Sequence, residues 1–201
     1  MLRAMIFDLG RVLVHVDFEI GYRRMSAACG LDPAEVSRRL QSTGLLEPYE
    51  KGQVSSREFA ARACEALGAP ISFDAFCAMF NCIFDRGAVL PEETIAQLHR
   101  RYRLVLLSNT SEIHFEYLRT RLPSLRHFDA FTLSYELGAA KPEPAIYADA
   151  VAKAGCAAGE CVFTDDIAAF VEGARACGLR AVQFLGIEQW TAAMGEITRG
   201  G

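Results

Sequence analysis

Four side chains stand where chemistry could be done: the carboxylates of Asp8 and Asp166, the hydroxyl of Ser108 and the ammonium of Lys141. Gathered at one place, such a set can supply a nucleophilic carboxylate, a second carboxylate beside it, and a cation to moderate the charge of both. Asp8 closes the apolar run Met5–Phe7, Ser108 closes Arg103–Leu107, and Asp166 ends Thr164-Asp165-Asp166 after Cys161–Phe163. Short apolar runs that stop at Asp, Ser or Gly read as buried strands followed by turns. In an open parallel sheet, ligands bind outside the carboxyl ends of the strands, so residues that follow separate strands can converge on one pocket. Lys141 lies in the loop Gly138–Pro144, ahead of a helix that Pro144 can start, and the backbone can hold its cation at the same edge. Taken singly, each Asp or Ser is more often a turn or cap residue, and the lysine a solvated loop side chain. It is their combination that points to a site.

The elements that must position these residues follow one grammar. Arg180–Leu185, ending at Gly186, repeats the strand pattern, and Ala130–Leu133 is a weaker fifth candidate. Helical patterns separate the runs, as parallel crossovers require. Residues 17–86 contain no comparable strand. Asp32-Pro33-Ala34-Glu35 and Ser55-Ser56-Arg57-Glu58 carry capping-box spacing, and Gly30 and Gly68 sit where left-handed C-caps belong. The expected architecture is α/β: a doubly wound, Rossmann-like parallel sheet formed by 1–16 and 87–201, with 17–86 inserted as a small helical cap over the carboxyl edge. The phenylalanines 59, 73, 76, 80 and 84 recur at helical spacing and read as cap core.

With 201 residues, 51% of them apolar, the chain can bury one core plus a small accessory unit. A formal net charge of -4 and the absence of a Lys/Arg run give no surface for nucleic acid or for an anionic membrane. No apolar stretch reaches the ~18 residues of a membrane span. Asp8 interrupts the apolar start before any signal-peptide core can form. Seven cysteines, an odd number without a CxxC pair, read as reduced thiols packed in a cytoplasmic protein.

FDLGRVLV (7–14), LLSNT (106–110), KPEPAIY (141–147) and FTDD (163–166) resemble, in order and over nearly the whole chain, the four motifs of the haloacid dehalogenase-like (HAD) hydrolase superfamily. They are most similar to its subfamily with a helical cap between the first two motifs. DLG in place of the usual DxD, followed by LSNT and later by KPE and DD, is similar to the α-D-glucose-1-phosphate phosphatase group. The resemblance implies a phosphoryl transfer in which Asp8 attacks phosphorus and forms an aspartyl-phosphate that water then cleaves. It implies that Ser108 and the backbone amide of Asn109, at a helix start, grip the phosphoryl oxygens. It further implies that Lys141 screens Asp8 from the anionic substrate. Mg²⁺ would sit between Asp8, the carbonyl of Gly10 and Asp166, in the all-oxygen shell it prefers. The implied substrate is a small phosphorylated metabolite such as a sugar phosphate, read by the cap.

Two positions depart from that family's pattern. Gly10 stands where most of its phosphatases place a second Asp that protonates the leaving oxygen, a service worth ~10²–10⁴-fold. Phe170 stands where Asp or Asn usually supports the metal site, and Ile167 replaces a small polar residue. Asp165 has two readings of equal weight, a further acid near the metal and a cap for the helix starting near Ile167. Arg11, His15, Arg23 and Arg24 lie near the junction of core and cap, within possible reach of an anion. Two other functions compete: a 2-haloacid dehalogenase needing no metal, against which the Asp165-Asp166 pair counts, and a catalytically retired phosphometabolite binder, for which Gly10 and Phe170 count.

Overall fold

The computed structural model describes residues 1–199. Five strands, β1 (Ala4–Phe7), β2 (Arg103–Ser108), β3 (Ala130–Leu133), β4 (Cys161–Asp165) and β5 (Arg180–Gln183), form one sheet in the order β3-β2-β1-β4-β5. Every neighbouring pair is parallel, as a doubly wound sheet requires. Strand β5 stops at Gln183, opposite Asp165, where β4 itself ends, and Leu185 beyond it is 71% exposed. The expected strand through Leu185 is thus two residues too long, because its partner has run out.

Among the described residues, eleven α-helices accompany the strands: α1 (Phe18–Cys29), α2 (Pro33–Ser42), α3 (Leu46–Glu50), α4 (Ser56–Leu67), α5 (Phe73–Asn81), α6 (Glu92–His99), α7 (Glu112–Arg119), α8 (Ser134–Leu137), α9 (Pro144–Ala154), α10 (Ala168–Ala176) and α11 (Ile187–Arg199). Successive strand side chains point to opposite faces of a sheet. Met5 and Phe7 therefore join Leu104, Leu106 and Val162 under α6, α7 and α11, while Ala4 and Ile6 join Val105, Leu107 and Phe163 under α9 and α10. Both sheet faces are covered, which explains why the strands read as continuous apolar runs.

Helices α1 to α5 pack around an apolar cluster of their own, with Met25, Val36, Tyr49, Phe59 and Phe76 at its centre. Their ends are capped from the sequence: Asp32 accepts from the Ala34 amide at 2.9 Å and Ser55 from the Glu58 amide at 3.2 Å. Gly30 and Gly68 take φ of 73° and 69°. The return half of each expected capping box is replaced, since Glu35 pairs with Arg38 and Arg39 and Glu58 lies near Arg62.

Specific contacts seat this helical layer on the sheet's carboxyl edge. The Tyr49 hydroxyl accepts from the Ile113 amide at 3.2 Å, and Ser56 donates to Glu112. Lys51 Nζ lies 3.0 Å from Glu143, beside the loop that carries Lys141. Gly52 follows with φ 67°, so close to Tyr135 that a Cβ would fall 2.1 Å from its carbonyl oxygen. Among the described residues, no helix is long and apolar enough to cross a membrane.

Candidate active site

Asp8 directly follows β1, the central strand, and Ser108, Asp165 and Asp166 end or follow the two strands that flank it. Topology alone therefore brings them to one place. Lys141 enters from the loop before α9, and its Nζ lies 2.6 Å from Asp8 Oδ1, 2.6 Å from Asp165 Oδ2 and 3.4 Å from the Leu107 carbonyl. An ammonium has three donors, and all three are engaged. The loop is latched by Asn109, whose side-chain amide donates to the Lys141 carbonyl at 3.0 Å and accepts from its amide at 2.8 Å.

Asp8, Asp165 and Asp166 each offer an oxygen within 4.8 Å of the others. Burial, with Asp165 adding to it, pushes the Asp8 carboxyl up to about 7 against the pull of Lys141. Burial alone would lower the Lys141 ammonium, but Asp8 and Asp165 outweigh it and hold the lysine above its usual range. Asp166 is also raised, by partial burial and by Asp165, with Arg11 opposing from 3.6 Å. Three carboxylates, two of them buried, face the Lys141 ammonium and a half-exposed Arg11, an excess of negative charge that favours a further cation, and their oxygen donors suit a hard divalent one.

Asp165 does not cap α10, whose N-cap is Ile167 without a side-chain hydrogen bond; it holds Lys141 and the turn ahead of the helix. One oxygen binds Lys141 and the other accepts from the Ile167 amide at 2.8 Å, ahead of α10. It is fully buried and belongs with the central residues. Asn109 corrects a second expectation: α7 begins only at Glu112, so the Asn109 amide lies in a connection, not a helix start. That connection is pinned by Ser134, whose hydroxyl accepts from the Thr110 amide and donates to the Thr110 carbonyl. Phe170 puts its ring 5.1 Å from Lys141 Nζ, with Phe163 at 5.5 Å, so aromatic faces take the cation's remaining surface.

Above this floor lies a cavity of about 620 Å³, enclosed by α1 to α5 and lined at its base by Asp8, Gly10, Ser108, Asn109, Lys141 and Asp166. Of the four basic residues near the junction, Arg11 lines it, whereas His15, Arg23 and Arg24 do not. Phe59, Phe76, Phe80 and Phe84 serve as wall as well as packing, and Phe73 lies outside the cavity, under Arg57. His114 is buried in the wall with Nε2 3.1 Å from the Phe80 carbonyl, and burial lowers it to about 4. Glu50, at the end of α3, also lines the cavity, and burial together with Glu47 pushes its carboxyl up to about 7. No motif marks Glu50, because its place follows from how α3 docks through Lys51.

Residues 2–178 match the family described as haloacid dehalogenase-like hydrolase. The chain is 26% identical over 175 residues to D-ribitol-5-phosphate phosphatase of Bacteroides thetaiotaomicron, covering 83% of this chain and 84% of that one. It is 28% identical over 185 residues to phosphatase MT3486 of Mycobacterium tuberculosis, with 89% and 85% covered. The fold superposes with a TM-score of 0.79 on a HAD family enzyme of Bacteroides thetaiotaomicron in complex with magnesium and inorganic phosphate, at 26% identity and with 91% and 94% of the two chains covered.

Proposed function

The chain belongs to the haloacid dehalogenase-like hydrolases, and from that premise we propose that it is a Mg²⁺-dependent phosphatase acting on a small phosphorylated metabolite through an aspartyl-phosphate. The observation that carries this reading is the convergence of Asp8, Lys141 and Asp166 at the base of one cavity, with Asp165 buried behind them against Lys141. The phosphatases among its relatives, and the magnesium and phosphate held by a similar structure, support it.

In this reading the Asp8 carboxylate attacks phosphorus, the bond to the leaving oxygen breaks, and water later attacks the same phosphorus to release Asp8 and phosphate. The hydrogen bond from Lys141 holds Asp8 in one orientation and offsets its repulsion of the incoming anion. Ser108 and the Asn109 amide bind the nonbridging oxygens, and Asn109 also fixes the Lys141 loop. Asp8, Asp166 and the Gly10 carbonyl would hold Mg²⁺, which supplies positive charge to the phosphoryl oxygens when bound. Asp165 positions Lys141. Residues 17–86 act as the cap, closing the site from water and reading the leaving group.

Phosphate release from a panel of phosphorylated metabolites, with and without Mg²⁺, tests the proposal. Release that depends on Mg²⁺ and disappears in Asp8→Asn is expected. Halide release from a 2-haloacid in excess chelator, or binding without turnover, would overturn it.

A further inference from the structure

Away from its floor, the cavity over Asp8 is largely apolar. Its walls there are Tyr22, Met25, Phe59, Phe76, Phe80 and Ile83. Its rim carries Phe18, Leu46 and Ile167, which are 46%, 47% and 41% exposed. Large apolar side chains left in solvent are ordinary when scattered, but three of them lining the same largely apolar cavity point to an apolar ligand. They come from separate elements: Phe18 opens α1, Leu46 opens α3, and Ile167 precedes α10.

The polar groups left for a substrate beyond the phosphate are few. His114 is stacked on Phe80 at 4.0 Å between ring centroids, and its Nε2 is engaged with the Phe80 carbonyl. Gln41, Thr43, Glu47 and Glu50 supply the polar contacts of the α2–α3 side, and Arg11 lies near the floor beside Asp166. A polyol chain would set several hydroxyls against aromatic walls that offer them no partner, and burying an unpartnered hydroxyl is unfavourable. A hydrocarbon or aryl group gains there from leaving water. About 620 Å³ lies within the usual range for small-ligand sites.

We propose that the substrate is a phosphate monoester of an apolar alcohol or phenol, its phosphate at Asp8, Ser108 and the Asn109 amide and its hydrocarbon part against Met25, Phe59, Phe76 and Phe80. This rests on the phosphatase reading and replaces the sugar phosphate that the sequence suggests.

The test is phosphate release in Mg²⁺ from linear alkyl phosphates of one to six carbons, phenyl phosphate, ribitol 5-phosphate and the glucose phosphates. Linear alkoxides beyond the shortest differ little in basicity, so a trend along that series reports burial and not leaving-group chemistry. We expect kcat/KM to rise about fourfold per methylene, which is ~0.8 kcal/mol at 1.36 kcal/mol per decade, until the cavity is filled. Pentyl phosphate should exceed ribitol 5-phosphate at least about tenfold. Leu46→Asn and Phe18→Ser, both at exposed rim positions, should flatten the rise for the longer chains. A flat or falling series, or preference for a polyol or sugar phosphate, overturns the substrate class while leaving the phosphatase reading intact. No phosphate from any ester, with or without Mg²⁺, overturns both.

Discussion

Gly10→Asp tests whether the first loop lacks a proton donor. Gly10 does not have the positive φ that would exclude a side chain, and a Cβ built there meets only Val16 Cγ2, at 3.2 Å. That contact is a few tenths of an ångström too short, so Val16 must give way, and overpacking of this kind costs about 1–3 kcal/mol. The double substitution Gly10→Asp/Val16→Ala removes the contact, with Val16→Ala as control. A positioned acid is worth ~10²–10⁴-fold, or roughly 3–5 kcal/mol, so the gain exceeds the steric cost. The benefit should fall on basic leaving groups, because an aryl oxide departs with little help and an alkoxide does not. The ratio of kcat/KM for butyl phosphate to that for phenyl phosphate should therefore rise at least tenfold in the double variant over the control. Measuring the ratio cancels differences in folded fraction and metal loading. An unchanged ratio in a well-folded variant would show that the proton already comes from elsewhere, and the account of Gly10 would fall.

Asp8→Asn should lose at least about 10⁴-fold in kcat with little change in Tm, and excess chelator should silence the native enzyme until Mg²⁺ is restored; substantial turnover in either case removes Asp8 or the metal from the mechanism. Glu50 has a folded value of about 7 against 4.5 when free, so it binds its proton more tightly in the folded chain, and the resulting loss of stability develops as pH rises from about 4.5 to 7. Glu50→Gln should accordingly stabilise by about 1–3 kcal/mol at pH 8, a few degrees in Tm, and by nothing at pH 4; equal effects at both pH values would refute the burial argument. Gly52→Ala places a methyl into the Tyr135 carbonyl from a left-handed backbone, and should cost about 1–3 kcal/mol and lower kcat/KM as α3 lifts from the Lys141 loop. Native stability in that variant would show that the contact between α3 and α8 yields easily.

The sheet was legible because both its faces are covered. Runs such as Leu104–Leu107 and Cys161–Phe163 must then be apolar throughout, and a strand that ends in Asp or Ser at the carboxyl edge declares both the fold and the floor of the site. The helical layer was legible through Asp32, Ser55, Gly30 and Gly68, whose types at that spacing mark helix ends. What could not be read was long-range placement. Glu50 and Phe80 look like ordinary helix residues, and they face the cavity only because Lys51 meets Glu143 and Tyr49 meets Ile113 across 92 and 64 positions of sequence. Phe170 read as a loss from the metal site, and only its distance to Lys141 reveals it as a face for the cation.

Asp165 shows how one buried cation can couple the fold to the site. It is the last residue of β4, and it spends one oxygen on the turn into α10 and the other on Lys141. Lys141 in turn is fixed to β2 through Asn109 and to Asp8 after β1. Removing Lys141 from such a buried set would leave Asp8 and Asp165 facing each other uncompensated, and would cost far more than exchanging the whole set for apolar residues. The arrangement is therefore poor as a stability device, and its retention is better explained by what it does to Asp8. It holds the carboxylate in one orientation, beside a buried cation that offsets its charge, at the base of a largely apolar cavity. The same burial that raises Asp8 leaves its charge poorly solvated, so that, on the proposed reading, the apolar surroundings would tune the carboxylate as well as receive the leaving group.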